Sequence, residues 1–452
     1  MATRTYTLTC LCPVHVGTGT QFSKFEGVYE GRRWHLIDLD KVLARGVNAS
    51  QLATAMSNRN FLWATWLSTQ RIPPADVAAY SLPCPQDPDE VAVREAMKNV
   101  HAQPYLPGTS IKGAIRTAVL WQLMTDHAPH QEFAARYVTL CVRSRDLVNE
   151  IQRRRAFDAP DTHRVVLAET LNVSQDEARR FQQTLYRILN VREDRLSDQR
   201  EWRNFQQRLE RLGRNREWLG QPVERAVFGR DPNHDLMRAV HVSDTQPVSI
   251  EQLAVGLVWT YTLRGHRLVE KREQDGEYKI FAEWLTPETP LRLEIGVDDF
   301  LFSEVAELEL RFRGAKEQAI RQLAQTCNAY ARSIIAAEQQ FYNEYPMFYA
   351  DREHSAIREF YAELDATINN LPDGAFLLNI GWGGGWEVKT IGDLLRNQLG
   401  EEGFNQLRQR YRLGQNPRTG QLDTAHPFPK TRHIAYEGGA PMWPLGWVKL
   451  TP

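Results

Sequence analysis

The chain reads as an α+β protein: a ferredoxin-like core interrupted by a large helical insertion. Three observations predict this. Residues 4–12 alternate, with Tyr6, Leu8, Cys10 and Cys12 on one side, as a half-buried strand does. Residues 130–227 are helical in pattern and rich in arginine and glutamine. Strand-like runs then return at 239–244, 253–264 and 278–296, followed by helical periodicity at about 315–344 and 352–370. Strand, helix, insertion, strands, helix and strand is the split β-α-β-β-α-β order. The boundaries are 1–129 for the first part of the core, 130–235 for the arginine-rich insertion, and 236–452 for the rest of the core with its C-terminal segment. The C-terminal half either completes this unit or forms a second, degenerate one.

Each element has a local reason. HVGTG (15–19) is a Gly-rich turn after the first strand, and 28–39 reads as a hairpin turning at Glu30–Gly31. Residues 40–80 are mostly helical, and three prolines make 81–90 a loop. LPGTSIKGAIRTAVLWQLM (106–124) is a loop entering a helix that Thr109 or Ser110 can cap. Ile111, Ile115, Ala118 and Val119 form its apolar face, and Lys112 and Arg116 lie one turn apart on another. AFLLNI (375–380) is a buried strand, and a short helix is expected at 390–399. No repeat of solenoid length occurs.

Composition narrows the classes. With 452 residues and 42% hydrophobic side chains, the chain can build a core of two or three units. A net charge of −1 gives no global pull toward nucleic acid, so any such binding must come from local patches. Ten of the 55 basic residues are lysine, so 45 are arginine. Residues 143–230 hold 19 Arg, no Lys and 14 Asp plus Glu, mostly a solvated face laced with ion pairs. Five scattered cysteines form no disulfide framework and no zinc spacing. There is no signal-peptide apolar region at the N-terminus and no run of 18 apolar residues, so a cytoplasmic protein without a membrane span is expected, with no cofactor or metal.

The most informative run is NIGWGGGWEVKT (379–390). Gly381, Gly383, Gly384 and Gly385 let backbone N–H groups approach a ligand. Trp382 and Trp386 offer flat faces for stacking, and Lys389 completes an anion site. Backbone donors, aromatic planes and a cation suit a phosphodiester chain, although such loops are often only tight turns. Val388 stands where a Walker A loop needs glycine before its lysine, so a mononucleotide P-loop is excluded. Lys112 lies in the first turn of its helix, where a cation is unfavourable. An RNA phosphate at that helix N-terminus would offset the cost, with Gly108 and Gly113 allowing close approach; the alternative is a lysine pointing to solvent.

These motifs carry a resemblance. LPGTSIKGAIRTA (106–118), FGRDPNHDLMRAVHVSD (228–244), the Gly-rich loop after a late strand, PKTRHI (429–434) and PLGWVKL (444–450) occur in order. Together they resemble the RAMP superfamily, the RNA-binding subunits of CRISPR effector complexes, and within it the capping subunits of type III-A (Csm) effectors. The resemblance is carried by about a quarter of the residues and implies an RRM-like RAMP core. It also implies a place at the end of a filament of related subunits, near the 3′ end of the guide RNA. The implied partners are guide RNA, target RNA in the assembled complex, the other RAMP subunits and host trimming nucleases. Ser110, Lys112 and Arg116 fall on the helix expected to touch the guide backbone. Gly381, Trp382, Gly383, Gly384, Gly385, Trp386 and Lys389 fall on the loop expected to follow it. His15 and Gly17 lie on the loop after the first strand, and Lys430 and Arg432 within PKTRHI. No short loop with an isolated aspartate matches the target-cleaving site of the filament subunits; Asp38 and Asp40 merely follow a hairpin. A non-enzymatic role is therefore expected.

Rival readings remain. One is a guide-processing endonuclease of the same superfamily, with His15, or secondly His241, as general acid or base. Another is a metal nuclease built on His234–Asp235, and a third is the capping subunit of a Cmr-type complex. The last is a structural protein with the tryptophan-flanked loop buried.

Overall fold

The computed structural model describes the chain except residues 1, 24, 90, 155–159, 197, 213–219, 274–275 and 417–418. Two sheets and a set of inserted helices share one apolar core. The first sheet has five antiparallel strands in the order Phe376–Asn379, Trp447–Thr451, Ala2–Cys10, Pro290–Val297 and Val240–Val242. Tyr6, Leu8 and Cys10 face the core while Thr5 and Thr7 face outward, so the expected alternation is present. The helices Gly108–Asp126 and Leu323–Glu344 pack together beneath this sheet. Ala2–Cys10 and Val240–Val242 flank Pro290–Val297, which is the split β-α-β arrangement. The chain's last strand, Trp447–Thr451, pairs with Ala2–Cys10, and Phe376–Asn379 is displaced to the edge.

A second sheet runs Ala440–Trp443, Thr431–Glu437, Leu253–Arg264, Lys279–Leu285, Val93–Ala96 and Gly17–Phe22, with Arg267–Glu270 also paired to Leu253–Arg264. Its short strands are scattered from one end of the chain to the other, so no single stretch announces it. Residues 81–83, expected as loop, end the strand Ala78–Pro83, which pairs with the hairpin Gly27–Glu30 and Arg33–Ile37. Beside that small sheet, Val28, Val42, Leu52, Trp63 and Leu67 form an apolar cluster of their own.

The helices Ala128–Arg153, Pro160–Leu171, Gln175–Ile188, Gln199–Leu212 and Gln221–Phe228 follow Gly108–Asp126. Their apolar faces join the main core. Many of their arginines are paired locally, as Arg153 and Arg154 are with Glu150. Among the described residues, all five cysteines are buried and free. No described helix is long and apolar enough to cross a membrane.

Candidate nucleic-acid interface

The helix Gly108–Asp126 begins one residue after Pro107, and neither Thr109 nor Ser110 caps it. The cap comes from Asp244, whose carboxylate accepts from the Gly108 N–H at 2.7 Å. The anion expected at this helix N-terminus is thus supplied by the chain itself. Gly108 is needed for another reason: a Cβ there would lie 2.4 Å from the Val242 carbonyl oxygen, so it sets the close approach of helix to strand.

The Gly-rich segment leaves the strand Phe376–Asn379 as a tight bend and enters the short helix Gly385–Lys389. Gly381 has φ +72°, and a Cβ there would sit 2.3 Å from the His15 carbonyl oxygen. That same oxygen accepts the Trp382 N–H at 2.8 Å. The loop after the first strand and the Gly-rich loop are therefore locked together.

His15 is 3% exposed. Its Nδ1 lies 2.7 Å from the Glu283 carbonyl oxygen, which only accepts, so Nδ1 carries the proton. Burial lowers the imidazole pKa, so the ring is neutral. Behind it the fully buried Glu283 carboxylate accepts from Tyr80 Oη at 2.7 Å, the Ala96 N–H at 2.9 Å and the Lys98 ammonium. His15 is a prop within this buried network.

An open groove of about 510 Å³ lies where these parts meet. One wall is Val16 and Gly17; the second is Thr109, Ser110, Gly113 and Thr117 of the helix; the third is Gly381, Trp382 and Lys389. Five residues singled out from sequence, Gly17, Ser110, Gly381, Trp382 and Lys389, thus converge from three separate stretches. Lys389 is exposed yet set among dense protein, and this desolvation lowers its pKa. Lys112 lies on the same helix but does not line the groove; desolvation lowers its pKa, with Asp235 opposing the shift. Neither lysine makes a hydrogen bond or ion pair among the described residues. Unpaired, partly desolvated cations are costly unless an anion arrives.

The other expected site residues lie elsewhere. Arg116 is held by Asp235 at 2.8 Å and Glu224 at 3.1 Å, over the Phe228 ring at 3.9 Å, and braces the helix against the end of the insertion. Lys430 pairs with Asp423 at 2.6 Å, and Arg432 with Glu338 at 2.8 Å. Gly383 and Gly384 pack against Leu445 and Asn379, while Gly385, at φ +74°, opens the short helix. Trp386 meets Phe428 edge-on at 5.2 Å, and its ring would collide with a Cβ on Gly392. Trp382 has neighbours as well: His433 at 4.8 Å, His15 edge-on at 6.1 Å and the Arg94 guanidinium at 4.4 Å. Trp386 is engaged by protein, while Trp382 carries Arg94 and His433 beside its ring and still lines the groove.

A second cleft, of about 500 Å³, presents Glu338, Glu344, Glu387 and Asp393 against Arg396 and Arg432. Burial, and then Asp393 alongside, raises the Glu387 pKa to about 8. In this cleft Arg432 is paired with Glu338 and Arg396 with Asp393, so neither guanidinium is free for a phosphate. His234 bonds to Asp231 at 2.7 Å and Glu309 at 2.9 Å. No group of three or more metal-ligating side chains occurs among the described residues.

Gly113 is the informative glycine of the groove. It sits inside a helix and lines the groove, and beyond its own helix backbone nothing lies within 4 Å of its would-be Cβ. Glycine there costs about 1 kcal/mol relative to a good helix former, and no packing demands it. Gly113→Leu should therefore raise the melting temperature while lowering affinity for single-stranded RNA at least tenfold. A stabilised variant with undiminished RNA affinity would show that nothing approaches this wall.

Fold and groove together describe a mixed α/β protein with an open cleft whose wall carries Lys389, unpaired among the described residues. Residues 7–389 match the RAMP superfamily, and the chain belongs to that family. It is 28% identical over 130 residues to CRISPR system Cms protein Csm5 of Streptococcus thermophilus, a match spanning 25% of this chain and 36% of that protein. The protein of the same name from Methanocaldococcus jannaschii is 20% identical over 460 residues, covering 98% of this chain and 87% of its own length. Among solved structures, a chain of a Csm–crRNA–target RNA ternary complex of a type III-A CRISPR-Cas system superposes with a TM-score of 0.60 at 22% identity. The crystal structure of T. onnurineus Csm5 superposes with a TM-score of 0.58 at 21% identity. Each match covers 98% of this chain and 99% of the other.

Proposed function

We propose that this chain is an RNA-binding subunit of a type III-A (Csm) CRISPR effector. It caps the filament near the 3′ end of the guide RNA and aids guide maturation and complex assembly in antiviral defence. The observation that carries this reading is the groove: Gly17, Ser110, Gly381, Trp382 and Lys389 come together there, and Lys389 makes no hydrogen bond or ion pair among the described residues. Such a surface suits the sugar–phosphate backbone and is nearly blind to sequence. The partners in this reading are guide RNA, target RNA in the assembled complex, neighbouring RAMP subunits and trimming nucleases, all cytoplasmic. The family membership and the relatives named Csm5 support it, and favour the Csm over the Cmr setting.

The endonuclease alternative is disfavoured by geometry. His15 is buried beneath the loop with its proton committed to the Glu283 carbonyl, so it is poorly placed to serve an RNA 2′-hydroxyl. The role proposed here is that of a subunit that does not itself cut RNA. Affinity purification from the native host tests the reading. The expected result is copurification of other RAMP subunits with short RNAs carrying CRISPR-repeat sequence. Recovery of the chain alone, without RNA, would overturn it.

A further inference from the structure

Arg94 lies on the short strand Val93–Ala96, between Lys279–Leu285 and the exposed edge strand Gly17–Phe22. Nothing in the local sequence VREA marks it. Its register partner is Gln21, in the strand whose first residue, Gly17, lines the groove. The guanidinium carbon sits 4.4 Å from the centroid of the Trp382 ring. His433 lies 4.8 Å from the same ring.

Two features separate this arginine from the structural ones. Arg116, Arg396 and Arg432 each have a carboxylate within 3.4 Å. Arg94 has neither a hydrogen bond nor an ion pair among the described residues, although it is partly buried and desolvation lowers its pKa. Its charged neighbours do not repel it. His433 and His15 are both held neutral by burial, with Arg94 itself contributing. What remains is a planar cation over an indole, with its five N–H donors uncommitted among the described residues, next to Trp382, which lines the groove. Stacking on a ring fixes the plane of a guanidinium while leaving its donors free, and a planar fork matches two oxygens of one phosphate.

We propose that Arg94 is a phosphate clamp of this groove, positioned by Trp382 and acting opposite Lys389 on a single-stranded RNA backbone. The proposal rests on the groove being the RNA site, and it assigns Trp382 the role of a shelf for the arginine. The ligand class is an extended phosphodiester, read without regard to base.

The test compares Arg94→Gln, Arg94→Lys and Lys389→Glu in the full chain, titrated with a short polyuridine oligomer at several salt concentrations. Arg94→Gln should weaken binding about tenfold, the value of one charge-assisted phosphate contact. It should also make the salt dependence shallower by about 0.7 in the logarithmic slope, the share of one phosphate on a single strand. Arg94→Lys should recover part of the affinity and the full slope, because charge is kept and the fork is lost. Unchanged thermal unfolding and indole emission would show that the shelf is intact. If Lys389→Glu weakens binding while both Arg94 variants bind as the parent does, the clamp is refuted and the groove stands. If none of the three alters binding, the groove itself is refuted, and the clamp with it.

Discussion

Lys112→Glu combined with Lys389→Glu should lower the affinity of the folded protein for single-stranded RNA by two orders of magnitude or more. Neither lysine makes a hydrogen bond or ion pair among the described residues; Lys389 lines the groove, and Lys112 lies on the helix that forms its second wall, with Asp235 near enough to act on its charge. A charge-assisted contact to phosphate is worth about 1.5–3 kcal/mol, so two removed contacts give roughly 3–6 kcal/mol at most, and the introduced carboxylates add repulsion. The logarithmic salt slope should fall by about 1.4, two phosphates on a single strand. Stability should change little, because neither side chain makes a hydrogen bond or ion pair among the described residues; Asp235 near Lys112 is the one adverse neighbour. Lys112→Glu even places an acid in the first turn of its helix, where the dipole favours one. Fluorescence anisotropy with labelled RNA, alongside a thermal melt, checks both parts. A folded double variant with parental affinity would remove the groove from consideration.

The pairing of Lys112 with Lys389 replaces the choice that sequence spacing suggests. On the helix, Lys112 and Arg116 are one turn apart and look equivalent. In the fold their environments diverge, because Asp235 and Glu224 neutralise Arg116 from positions 119 and 108 residues away. Nothing within reach of a helical window shows such partners. The same holds for Lys430 and Arg432. PKTRHI looks like a basic strip, yet Arg432 meets Glu338, 94 residues earlier in the chain.

What local pattern could show, it showed well. The strand Leu253–Arg264 coincides with its apolar run, the hairpin Gly27–Glu30 and Arg33–Ile37 turns where Glu30 and Gly31 suggest, and the Ile111, Ile115, Ala118 and Val119 face is buried. The glycines of the 379–390 loop did mark close approach, although the approaching group at Gly381 is the chain's own His15 carbonyl. The surroundings of the tryptophans were not legible in the sequence for a related reason. An indole that stacks on a ligand and one that carries Arg94 or meets Phe428 edge-on have identical sequence signatures. Arg94 was invisible because its significance depends on a ring 288 positions away along the chain.

Arg432→Ala should be among the most destabilising substitutions in the chain, by about 3–5 kcal/mol. The Arg432 and Glu338 side chains are only 13% and 6% exposed. The guanidinium also donates to the Pro429 carbonyl at 2.9 Å and lies 3.9 Å from the Phe341 centroid. Removing it leaves a largely buried carboxylate beside Tyr342 and Tyr361 without its cation. The double variant Arg432→Met, Glu338→Leu should recover most of the loss, since apolar side chains of similar volume commonly replace a buried pair at little cost. Urea unfolding of the parent, the two single variants and the double gives the coupling energy directly. The folded double variant then separates two roles that the single cannot. If Arg432 only ties the strand Thr431–Glu437 to the helix Leu323–Glu344, RNA affinity should match the parent's. A well-folded double variant that no longer binds RNA would return Arg432 to the interface and place the guide on the opposite side of the Gly-rich loop from Lys389.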